Sequence, residues 1–124
     1  MKRDMDLIRS ILLYSEHNCV GLRSCTVTVD DFEETKSKET LMAHINMLRE
    51  IGLLGEGRRA IGIISIGNLT WHGHDFLDSV RNPEIWRKTK DAAEKAGGFT
   101  FSILGEIAKG LIKTQVEKHT GVEL

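Results

Sequence analysis

Lys36, Ser37, Lys38, Thr40, Ala43 and Asn46 lie on the polar side of one segment, and Arg58 and Arg59 follow in a glycine-rich stretch. Each type has a partner on duplex DNA. Lysine and asparagine can contact guanine and adenine edges, serine and threonine suit phosphates, and alanine suits a thymine methyl. Paired arginines at a loop tip suit the DNA backbone or the minor groove. Glu39, in the same stretch, would accept from cytosine or repel phosphate. Other constellations fall short of chemistry. His72-x-His74-Asp75 opens like an HxHxD di-metal hydrolase motif, but position 77 is Leu77 and the one later histidine is His119. On a helix, neighbours two apart also point to different faces. Nothing in the spacing of His17, Cys19, Cys25 and His44 requires them to share a metal. No glycine-rich phosphate loop follows a strand, and no serine sits in a GxSxG elbow. The expectation is a protein with no catalytic residues, metal or cofactor.

The elements that must position these residues follow from periodicity. Leu41, Ile45 and Leu48 recur at helical spacing, Ser37 is a good N-cap, and Gly52 is placed to stop the helix, which the pattern sets at 38–51. Gly55 to Arg59 reads as a hairpin tip and Ile61 to Leu69 as the returning strand, with Ile61, Ile63 and Ser65 on one side and Ile64 and Ile66 on the other. Upstream, Asp4 can cap a helix from Met5 to about His17 whose inner face is Leu7, Ile8, Ile11 and Leu12. Cys25 to Val29 alternates like a strand, and a brief helix is expected around Phe32 to Thr35. Downstream, Trp71 to Arg81 should be helical with Phe76, Leu77 and Val80 inward. Asn82-Pro83 should start another helix, to about Ala96. The last segment, Phe99 to His119, carries an apolar stripe of Leu104, Ile107, Ala108, Leu111, Ile112 and Val116. Gly105 and Gly110 each cost such a helix about 1 kcal/mol, so it needs a covering surface. That surface is either its own domain or a second copy.

With 40% hydrophobic residues and 28% charged in 124, the chain can bury a core and is no disordered tail. The net charge of -1 removes the broad basicity usual in nucleic-acid binders, so any such surface must be local. The acidic run Asp30, Asp31, Glu33 and Glu34, just before the helix at 38–51, argues against phosphate contact by the brief helix around Phe32 to Thr35. Two cysteines are too few for a disulfide framework, and reduced thiols are expected. No signal peptide or membrane span is evident, which makes the cytoplasm the expected location.

Met1-Lys2-Arg3-Asp4-Met5-Asp6-Leu7-Ile8-Arg9 and Leu69-Thr70-Trp71-His72-Gly73-His74-Asp75-Phe76-Leu77-Asp78, continuing to Trp86-Arg87-Lys88-Thr89-Lys90, resemble an uncharacterised bacterial family catalogued as a domain of unknown function and frequent in phage and prophage genomes. The resemblance brings no activity with it. The turn Leu69-Thr70-x-x-Gly73 after a hairpin is also similar to many winged-helix regulators. The expected fold is therefore mainly α with a small β-hairpin. It consists of a winged helix-turn-helix domain over 1–81 and a C-terminal helical extension over 82–124. The expected function is DNA binding or transcription regulation, with double-stranded DNA as partner and, where the last helix does not pack on its own domain, a homodimer through that helix. The alternative is a protein–protein interaction module that binds no DNA.

Overall fold

The computed structural model describes residues 1–21, 24–58, 60–98 and 100–121. The chain is mainly helical with a small two-stranded antiparallel sheet. In order it forms α1 (Met5–Asn18), β1 (Ser24–Val27), a 3-10 turn (Val29–Asp31), α2 (Lys38–Glu50), β2 (Ile64–Gly67), α3 (Trp71–Val80), α4 (Pro83–Lys95) and α5 (Phe101–Thr120). Among the described residues, no helix is long and apolar enough to cross a membrane. The chain divides into two compact units, Met1–Leu77 and Asp78–Leu124.

In the first unit α1 packs on α2, burying Leu7, Ile8, Ile11 and Leu12 from one and Leu41, Ile45 and Leu48 from the other. Each such side chain contributes roughly 1.5–3 kcal/mol on leaving water. The Asp4 carboxylate accepts from the Leu7 N–H at 3.1 Å and caps α1. His44, fully buried in α2, ties the two helices together. Its Nε2 accepts from the Asp4 N–H at 2.8 Å, and its Nδ1 meets the Thr40 carbonyl at 2.7 Å. That pattern sets the tautomer, because a neutral ring offers one acceptor and one donor. At the far end of α1 the buried Ser15 hydroxyl donates to the Gly67 carbonyl at 2.7 Å and fixes the end of β2.

Three expectations change. The pairing within the sheet joins β1 to β2, Ser24 opposite Gly67 and Val27 opposite Ile64, across almost forty intervening residues. The local hairpin is reduced to one bridge, Leu54 with Leu69. All four residues of β2 are buried, which fits a strand covered on both faces, but Ile61 and Ile63 lie outside it. No helix forms at 32–35. Thr28 instead caps the 3-10 turn at Val29–Asp31, with Asp31 returning a bond to the Thr28 N–H at 2.8 Å. The two cysteines, expected reduced, form a disulfide with Cα atoms 5.6 Å apart. Cys19 is the C-cap of α1 and Cys25 lies in β1.

Gly52 does stop α2, at φ +78. Gly67 is required by closeness: a Cβ there would collide with the Gly55 carbonyl. In the second unit Asn82 caps α4, with Pro83 at its start, and the helix buries Ile85, Trp86, Thr89 and Ala93. It packs on α5, which buries Leu104 and Ala108.

Candidate nucleic-acid interface

The sequence-derived contact residues fall at two places on the first unit. Lys36, Ser37 and Lys38 sit exposed at the N-terminal end of α2. The Ser37 hydroxyl accepts from the Thr40 N–H at 3.2 Å and donates to Glu39 at 3.4 Å, so its first task is capping. Lys36 Nζ reaches back to the Phe32 carbonyl at 3.5 Å. Thr40 and Ala43 are half-buried. Eight residues on from Lys38, or about 12 Å along the axis, Asn46 is exposed beside the loop between Leu54 and β2. A groove of about 710 Å³ runs there, lined by Met42, Ile45, Asn46 and Arg49 from α2 and by Arg58 and Ile61 from the loop. Arg59 lies outside the described residues.

Ser65 and Arg49 set the geometry of this groove. The Ser65 hydroxyl accepts from the Arg58 N–H at 2.9 Å. The Ser65 carbonyl accepts from an Arg49 terminal nitrogen at 2.6 Å, and the other terminal nitrogen donates to Asn46 Oδ1 at 3.2 Å. Arg49 is therefore a brace between α2 and β2 that also holds Asn46 by its side-chain oxygen. Sequence reasoning passed over it. Its two signals were its place in the last turn of α2, where a cation meets the negative helix end, and its spacing of three from Asn46. Among the described residues no carboxylate pairs with Arg58 or Lys38, whereas Glu50 and Glu56 also border the groove.

The acidic run is less hostile than its composition. Asp31 is taken up by the capping of the 3-10 turn, and Glu34 accepts from the Ser10 hydroxyl of α1. Asp30 and Glu33 stay exposed. Behind the run, the Tyr14 and Phe32 rings meet at a tilt of 53° with centroids 5.5 Å apart. Burial, and then the Asp31 carboxylate, raise the Tyr14 hydroxyl above its ordinary pKa.

The histidine constellations do not assemble. His74 lies 3.8 Å from Glu16 with both groups partly exposed. His44 sits at the N-terminal end of α1 and the cysteine pair at its C-terminal end, about 20 Å away for a helix of 14 residues. Among the described residues no group of three or more His, Cys, Asp or Glu side chains is placed to hold a metal ion.

This is a mainly helical protein with a small antiparallel sheet and a cleft beside the outer face of α2. By sequence the chain belongs to the family described as "Hypothetical protein (DUF2513)", which it matches over residues 2–99. An uncharacterized protein of Haemophilus influenzae is 32% identical over 120 residues, an alignment covering 90% of this chain and 96% of that protein. No solved structure matches the chain.

Proposed function

We propose that this protein is a non-catalytic winged helix-turn-helix module of phage or prophage type that binds double-stranded DNA in the cytoplasm and regulates transcription. The order of helix, strand, turn, helix, loop and strand, with β2 returning to pair with β1, supports a winged helix in which α2 is the recognition helix and loop 55–63 the wing. One observation carries the reading: α2 is held by its inner face and at both ends, while Lys38 and Asn46 on it, Lys36 just before it and Arg58 on the wing remain exposed. In this reading the first turns of α2 enter the major groove, with Lys36, Ser37, Lys38 and Thr40 near the backbone and Ala43 and Asn46 towards base edges. Arg58, with Arg59, meets the backbone or minor groove. A homodimer through α5 would set two recognition helices on half-sites about 34 Å apart.

The groove supports a second reading, a protein-docking module. Met42 is 42% exposed beside a wholly exposed Ile61, and Glu50 and Glu56 flank them. An apolar floor with charges of both signs at its rim is the anatomy of a protein interface as much as of a DNA surface.

The deciding comparison is the parent against a Lys36→Ala, Lys38→Ala, Arg58→Ala triple variant on a random duplex. The expected outcome is a log K against log salt slope smaller by about two to three units, near 0.9 for each lost phosphate contact. If the parent shows no duplex binding at about 50 mM salt, where non-specific affinity is strong, the DNA reading fails and the docking reading stands.

A further inference from the structure

The wing ends in a feature that phosphate binding does not use. Ile61 is 105% exposed, at the outer edge of the groove that Met42 and Arg58 also line. A single exposed aliphatic residue has no meaning alone. Here, however, the backbone that carries it is fixed at its base. The Gly55 N–H donates to the Asn68 carbonyl at 2.8 Å, the Arg58 N–H donates to Ser65 Oγ at 2.9 Å, and Leu54 bridges to Leu69. Beyond that base the described tip is thin. Ala60 and Gly62, on either side of Ile61, carry nothing past a Cβ. From Gly57 to Ile63 the sequence has no acidic residue.

We infer that Ile61 is an apolar wedge that the wing inserts between base steps of a narrow A·T-rich minor groove, with Arg58 held at the groove wall. This rests on the DNA reading and gives it a substrate class. The minor groove is only about 6 Å wide, which excludes a helix but admits a ribbon whose flanking residues lack side chains. Narrow A·T-rich grooves concentrate negative potential that attracts arginine, and TA steps unstack most readily. Inserted aliphatic side chains bend the duplex by roughly 20–90° toward the major groove. Because Ile61 buries nothing, Ile61→Ala should leave the fold intact, and any change it makes belongs to the ligand.

The test uses the full chain and two fluorescent duplexes of equal length, one A·T-rich with TA steps and one G·C-rich. Affinity is read by anisotropy and bend by energy transfer between the duplex ends. The parent should prefer the A·T-rich duplex by about tenfold or more and bend it. Ile61→Ala should lose the bend and most of the preference while keeping the salt slope. Arg58→Ala should lower that slope by about 0.9. A parent that binds both duplexes equally and unbent overturns the wedge alone. The same holds if Ile61→Ala matches the parent on both duplexes. A parent that binds neither duplex removes the DNA reading itself.

Discussion

Two helices of this chain, α2 and α5, are built on opposite terms. Over its 13 residues α2 buries Leu41, His44, Ile45 and Leu48, is capped by Ser37, and is braced at its far end by Arg49. Over its 20 residues α5 buries only Leu104 and Ala108. Twelve residues beyond Ala108 contain no buried side chain, yet they include Leu111, Ile112 and Val116. At Gly105 and Gly110 an added Cβ would meet nothing within 4 Å. Its partner helix α4 has 13 residues and cannot run its full length. Thus α2 is already paired on its inner face and exposes a mostly polar one, broken by Met42, the condition for reading a ligand with a rigid element. By contrast, α5 has an apolar arc wider than one neighbour covers, the condition for meeting another surface.

The sharpest way to break this contrast is to truncate matched residues. Leu48→Ala should cost about 2–5 kcal/mol by leaving a cavity in the α1–α2 core, seen as a lower urea midpoint at unchanged slope. A loss below 1 kcal/mol, well under that range, would mean that α2 is no better anchored than α5. Arg49→Met comes next, at about 1–3 kcal/mol, because it strands the Ser65 carbonyl without its donor. An unchanged midpoint would show the brace to be idle. Leu111→Ala should cost less than about 1 kcal/mol in a monomer, since little burial is lost. If α5 pairs with a second copy, sedimentation of the intact chain at tens of micromolar should give a dimer, and Leu111→Ser with Val116→Ser should convert it to monomer. A parent that sediments as a monomer removes the dimer.

The smallest effect is alkaline. Because the Tyr14 hydroxyl is raised above its ordinary value of 10.0 in the fold, the unfolded chain ionises first. Stability is therefore fully present below that value and falls as pH rises through the higher folded one. Tyr14→Phe should remove this dependence while leaving the neutral-pH midpoint nearly unchanged. An identical alkaline decline in Tyr14→Phe would assign it to other groups.

Periodicity carried the helices well, because a stripe such as Leu41, Ile45 and Leu48 can be buried in one way only. The capping residues Asp4, Ser37 and Asn82 were legible for the same local reason: each satisfies an amide two or three residues on. What the sequence hid was non-local. No pattern announces that β2 pairs with β1 rather than with the near side of its own hairpin, or that Cys19 and Cys25 meet. Asp30 to Glu34 looked like a helix start because Asp is a good cap. The structure uses Thr28 and Asp31 for a 3-10 turn and ties Glu34 to Ser10. In the candidate interface, residue types picked out Asn46 and Arg58, but not Arg49 and Ser65 that hold them. Bracing depends on a strand sixteen residues away meeting the last turn of α2.

The most direct test of the central claim is the salt dependence of binding between the intact parent chain and a random duplex, followed from about 50 to 200 mM. The expected result is measurable binding at the low end and a log–log slope of roughly −2 to −4, matching a few phosphate contacts from Lys36, Lys38 and Arg58 with its neighbour. No binding at the low end, or an affinity indifferent to salt, would contradict it and leave the groove between α2 and its neighbouring loop as a site for a protein.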